Sequence, residues 1–182
     1  MPRFVSGALL VAVVVLTGCG STSSASHAPS TVASRAAEAV GDNPSESAKM
    51  VCAAEAQSDI AGSLGVTPTQ VTSPTWTDRV YACDYVYPGG KIALSVKELA
   101  SASATATYFE EMGSRLGKRP DPPQLGDGAF VTTDGSVVVR KDYKVLEVDI
   151  SHLPMQFGDP PQDRSSVAVS VATTVMGCWV GA

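Results

Sequence analysis

Apolar and polar positions divide the chain into three stretches. Residues 4–16 form an apolar run interrupted only by Ser6 and Gly7. Residues 20–42 are rich in Ser, Ala and Thr, with no periodic apolar pattern. Such a stretch cannot bury enough surface to offset the entropy of ordering it, so a disordered spacer is expected. From residue 43 onward, apolar residues recur with helical and strand periods in turn, which predicts one folded unit over 43–182.

Asn43-Pro44-Ser45-Glu46 reads as a helix start, with Asn43 at the N-cap, Pro44 at N1 and Glu46 reaching back as in a capping box. The helix is expected to run on through Cys52, Ala53, Ala56, Ile60 and Leu64 to a C-terminal Gly65. Residues 69–77 are broken by Pro74 and make at best an edge strand. Residues 79–87 alternate, with Tyr81, Cys83, Tyr85 and Tyr87 on one face. Beyond the Pro88-Gly89-Gly90 turn, Ile92, Leu94 and Val96 face the same way. An even loop sets Cys83 and Tyr85 beside Ile92 and Leu94; an odd loop buries the Asp84 carboxylate, so the even loop is preferred.

Ser101 or Ser103 caps a second helix, striped by Thr105, Tyr108, Phe109, Met112 and Leu116 and ended by Gly117. After a proline-stiffened loop, residues 129–133, 136–141 and 144–150 read as three strands. Asp134-Gly135 and Asp142-Tyr143 read as two-residue turns. That register sets Phe130 opposite Val139 and Leu146, and Thr132 opposite Val137 and Val148. One face is then apolar, and Arg140, Glu147 and Asp149 fall on a solvated one. Residues 165–177 carry two periods: Val167, Val169 and Val171 alternate, whereas Ala168, Val171, Ala172, Val175 and Trp179 keep helical spacing. Length and Asp163 as a cap favour the helix. The order α-β-β-(β)-α-β-β-β-α predicts an α+β fold, an antiparallel sheet of two meanders packed against helices.

The apolar run at the start gains meaning from its ends. Met1-Pro2-Arg3 is a short basic opening, and 4–16 is short for a membrane span, which needs about 20 apolar residues. Leu16-Thr17-Gly18-Cys19 resembles the bacterial lipobox. The resemblance implies a diacylglyceryl group on the Cys19 sulfur and cleavage before Cys19. The chain then divides into a signal peptide (1–18), a lipidated cysteine with its spacer (19–42) and an extracytoplasmic domain (43–182) on the cell membrane. Two acyl chains anchor stably where one is marginal.

The net charge of −5 and the lack of a basic cluster argue against nucleic acid as a partner and against docking on an anionic membrane surface. With Cys19 acylated, Cys52, Cys83 and Cys178 remain in a compartment that permits disulfides. Cys52 with Cys83 is the preferred pair because both lie on apolar faces, leaving Cys178 a thiol; Cys52 with Cys178 is the rival.

The lipobox, the Ser/Thr-rich spacer, a Cys in the first helix, a second in an aromatic strand and Gly177-Cys178-Trp179 resemble the small cell-envelope lipoproteins of actinobacteria. The layout is also similar to the extracellular sensor domains of some actinobacterial Ser/Thr kinases. The resemblance implies an envelope location and assigns no residue role beyond Cys19.

Candidate chemistry is sparse. His27 falls in the spacer, and Ser151-His152 follows a strand end without a Gly-x-Ser-x-Gly elbow. Cys52, Cys83, Cys178 and His152 lack Cys-x-x-Cys zinc spacing. Gly126-Asp127-Gly128 lacks the strand and helix of a phosphate loop. Asp84, Glu110, Glu111, Glu147 and Asp149 read as solvated. No metal or cofactor is expected. Aromatic residues are mostly core, with Tyr81, Tyr85 and Tyr108 as candidates to line a ligand cleft between sheet and helices. The expected function is an anchored module that binds a lipid, a wall fragment or a partner protein without catalysis; the alternative is an envelope hydrolase using His152.

Overall fold

The structure, a computed structural model, describes residues 41–181. The apolar run, Cys19, His27 and most of the spacer lie outside the described residues. Among the described residues, no helix is long and apolar enough to cross a membrane.

Ser45 rather than Asn43 caps the first helix, its hydroxyl accepting the Ala48 N–H at 3.2 Å. Helix α1 (Glu46–Lys49) lasts one turn, passes into a 3-10 turn (Met50–Cys52) and breaks at Ala53, where ψ is 152°. Helix α2 (Ala54–Leu64) then restarts. The expected single helix is divided because side chains take its carbonyls. The Tyr85 hydroxyl donates to Val51 O at 2.7 Å, and the Gln57 amide donates to Cys52 O at 2.9 Å. In an unbroken helix those oxygens would accept N–H groups four residues on. Gly65 closes α2 with φ of 66°; a Cβ there would lie 1.9 Å from Asp159 O, so glycine alone fits.

Strands β1 (Gln70–Val71) and β2 (Thr75–Thr77) share one edge of β3 (Val80–Tyr87). Strand β3 pairs with β4 (Gly90–Glu98), with Cys83 opposite Leu94 and Tyr85 opposite Ile92, as the even loop requires. Strands β5 (Gly128–Val131), β6 (Val137–Lys141) and β7 (Lys144–Asp149) form the second meander. Strand β4 joins β7, so the seven-stranded antiparallel sheet runs β1-β3-β4-β7-β6-β5, with β2 beside β1 on β3. The fold is α+β.

The hairpin between β5 and β6 departs from expectation by one residue. Thr133-Asp134-Gly135 is a three-residue loop: Thr132 N donates to Ser136 O at 2.8 Å, and Gly135 N to Thr132 O at 3.1 Å. The Asp134 carboxylate organises it, accepting the Thr132 hydroxyl and the Ser136 N–H. A one-residue slip exchanges the faces of a strand. Phe130 therefore pairs with Val138, and Val131 with Val137, while Val139 keeps Leu146 and Val137 keeps Val148.

The slip brings Phe130 to the side of Val138 and Val145, and the sheet has two apolar sides instead of one. On the first, Cys83, Tyr85, Leu94, Leu146 and Val148 meet the 3-10 turn, α2 and α4. On the second, Phe130, Val138 and Val145 meet helix α3 (Ala102–Leu116), which Ser101 caps. Phe109 of α3 meets Phe130 edge-on, with centroids 5.0 Å apart. The face expected to be solvated is thus covered along β6 and β7, and Glu147 is mostly buried there. Burial first, and then the Asp149 carboxylate, push its carboxyl above the usual range.

Strands β8 (Gln156–Phe157) and β9 (Gln162–Asp163) form a small hairpin before helix α4 (Arg164–Gly181). The last element is a helix. Asp163 accepts the Ser166 N–H at 3.1 Å and its hydroxyl at 2.5 Å, which caps it. Val167 and Val171 are buried while Val169 is only partly so. Positions i and i+4 belong to both periods, which is why the sequence pattern was double.

Candidate functional site

Cys52 and Cys83 form a disulfide with Cα atoms 6.1 Å apart. It ties the 3-10 turn to the middle of the sheet. Cys178 is a buried thiol on α4, its Sγ 3.8 Å from Asp59 Oδ2. Among the described residues, no group of His, Cys, Asp or Glu is arranged to hold a metal ion.

The aromatic residues expected to line one cleft are divided between the two sides of the sheet. Tyr85 is fully buried under the 3-10 turn, where it is core. Burial, with neighbouring Tyr87 adding to it, pushes its hydroxyl far up; burial alone pushes Tyr87 to about 12. Tyr81 is half-buried on the same side, opposite Trp76 and Val96. Tyr108 packs on α3 against the second core, on the other side. Burial first, then Glu147, raise its hydroxyl, while Arg115 opposes the shift. These three do not converge. The reason is parity: alternate β3 residues point to the α2–α4 side, whereas α3 lies on the other.

His152 is exposed on the turn after β7. Its backbone passes close to Gly90, at the end of the sheet that holds the β3–β4 turn. The preceding Ser151 donates its N–H to Asp149 Oδ1 at 2.8 Å.

Polar groups converge at the opposite end of the sheet, where β4 and β6 finish and β7 begins. There a cleft of 350 Å³ is lined by Ala102 and Thr105 of α3, Asp127, Arg140, Asp142 and Tyr143. Each wall is held by the backbone or by packing. Asp127 N donates to Arg140 O at 2.7 Å, which extends the β5–β6 ladder. Gly126 makes that approach possible, with φ of 56° and a would-be Cβ 2.5 Å from Arg140 O. Asp127 Oδ2 accepts the Asp142 N–H at 3.0 Å, which locks the Asp142-Tyr143 turn to the loop before β5.

Arg140 is the central side chain. Its guanidinium carbon lies 5.4 Å from the Phe109 ring centroid, and Nη2 donates to Asp127 O at 3.1 Å. Its Nε is buried without a hydrogen-bond partner among the described residues. Thr105 is buried, and its hydroxyl donates to Ser101 O at 2.8 Å. The cleft therefore offers one fixed cation, two carboxylates and a tyrosine. Two other depressions differ in kind. One is an open patch of 780 Å³ on the outer side chains of α3; the other is a groove of 460 Å³ between α2 and β1 lined by polar and small residues.

In the sequence, Arg140 falls on a face expected to be solvated, Asp142-Tyr143 reads as a turn, and Asp127 stands out only within a Gly-Asp-Gly that lacks the context of a phosphate loop. The pointers to the cleft are that Gly-Asp-Gly at 126–128 and a turn lacking glycine at 142–143. No protein-family model matches the chain, and neither a curated protein nor a solved structure matches it.

Proposed function

We propose that this chain is a lipid-anchored protein of the extracytoplasmic face of the cell membrane, of the kind found in the actinobacterial envelope. Its folded domain binds a small polar ligand and does not transform it. Leu16-Thr17-Gly18-Cys19 after a short apolar run supports the anchor. The observation that carries the binding reading is the cleft around Arg140, where a cation and the Asp127 carboxylate are each fixed by a hydrogen bond to the backbone. Preorganised groups of this kind lose little freedom on binding, which favours affinity. An anchor also keeps the domain at high local concentration near membrane-bound targets, so a weak intrinsic affinity suffices.

The test separates anchor from site. Cys19→Ala should leave uncleaved precursor and no acyl label; normal labelling of that variant contradicts the anchor. In a deletion strain of the host, His152→Ala should restore the envelope phenotype as the wild type does, and Arg140→Gln should not. Loss of rescue with a stably folded His152→Ala protein points instead to catalysis.

A further inference from the structure

The cleft lies at the end of the sheet where the spacer enters the domain. The Trp76 indole N–H donates to Asp42 O at 2.9 Å, which fixes the first described residues against β2. Ser45 donates its N–H at 3.0 Å and its hydroxyl at 2.5 Å to Oε1 of Glu98, the last residue of β4. Glu98 is buried and sits opposite Lys144 in the ladder. Leu99, next in the chain, donates its N–H to Tyr143 O at 2.8 Å. Tyr143 is already a wall of the cleft. His152 and the β3–β4 turn stand at the other end of the sheet.

A spacer of 23 residues, 20–42, spans at most roughly 80 Å. It joins the domain at the cleft end, so that end stays within reach of the bilayer surface. The lining then narrows the ligand. Asp127 and Asp142 oppose a bare anion, and Arg140 opposes a bare cation. Asp142 is paired with Lys141 at 3.2 Å, whereas Asp127 accepts the uncharged Asp142 N–H, so the charge of Asp127 is the one available to an ammonium. A ligand carrying a phosphate and a primary ammonium a few bonds apart satisfies both signs.

Resting on the anchored-module reading, we propose that this cleft holds the headgroup of an aminophospholipid of the phosphoethanolamine type. Its phosphate sits on Arg140 and its ammonium on Asp127. The same chemistry exists in a soluble phosphodiester, and the place of the cleft, at the same end of the sheet as the attachment of the spacer, favours the lipid.

The experiment uses the acylated full-length protein in nanodiscs of phosphatidylcholine alone, or with added phosphatidylethanolamine or phosphatidylglycerol. Hydrogen exchange is followed over residues 101–106 and 126–143. Exchange should slow only in the phosphatidylethanolamine discs. Arg140→Gln and Asp127→Asn should each abolish the slowing while leaving exchange in α2 unchanged, and Arg140→Lys should retain part of it. Equal exchange in all three discs overturns the proposal. Equal slowing with phosphatidylglycerol also overturns it, because an anion alone then suffices. Glycerophosphoethanolamine added to the phosphatidylcholine discs identifies the source. Full slowing at low concentration means that a soluble ester is the ligand and contradicts the lipid assignment; weak slowing, reached only at high concentration, agrees with it. Failure of the anchor itself is seen separately, as a protein that lacks the acyl mass and does not migrate with the discs.

Discussion

The Tyr85 hydroxyl and the Val51 carbonyl meet at 2.7 Å, on the side of the sheet away from α3. The bond closes the break in the first helix, next to the disulfide, and it satisfies two groups that are out of water. Tyr85→Phe keeps the ring and removes the donor. The stranded carbonyl should cost about 1–3 kcal/mol. Urea unfolding should show a lower midpoint with an unchanged slope.

The Cys52–Cys83 bridge closes a separation of 31 residues. In the chain-entropy model such a loop contributes roughly 3–4 kcal/mol. A Cys52→Ala/Cys83→Ala protein should lose about that much, subject to repacking. Non-reducing peptide mapping of the wild type should return the 52–83 pair. Cys178, being buried, should react with a maleimide only after unfolding.

Alkaline stability follows from the buried tyrosines. Burial holds Tyr87 protonated to about 12 and Tyr85 beyond that, while both ionise near 10 when unfolded. The folded state binds these protons more tightly. The stability they contribute is complete below pH 10 and is lost as pH rises through the folded values, by up to about 1.4 kcal/mol per pH unit for each group. Absorbance at 295 nm should show two tyrosines that titrate only as the domain unfolds. Early titration of all five would contradict their burial.

Glu147 has the same sign and a different window. Its carboxyl is raised by burial and by Asp149, so the stability it contributes is present below the ordinary carboxylate range and falls as pH rises through the raised value. At neutral pH its charge destabilises the second core. Glu147→Gln should raise the thermal midpoint at pH 7 and change it little at pH 4.

Much of the scaffold was legible because hydrophobic period and turn chemistry agreed. The β3–β4 register followed from the cost of burying Asp84, and the 52–83 disulfide from two cysteines on apolar faces. The helix over α3 was equally plain, and of its two possible caps, Ser101 and Ser103, the structure uses Ser101. Two features were hidden for one reason each. The break at Ala53 depends on the Tyr85 hydroxyl, 34 positions from the Val51 carbonyl that accepts it, which no local pattern contains. The three-residue loop at Asp134 depends on side-chain acceptance by its carboxylate, and its effect is to send Phe130 to the other side of the sheet. The cleft was less legible still. Asp127, Arg140 and Asp142 are joined by hydrogen bonds across two turns, and each taken alone reads as a loop or surface residue.

The claim that the Arg140 cleft is a binding site is tested most directly by native mass spectrometry of the full-length protein extracted from its host membrane. Wild-type protein should carry an additional non-covalent mass, and Arg140→Gln, folded to the same extent, should have lost it. Identical spectra for the two proteins, with or without a bound mass, would contradict the account.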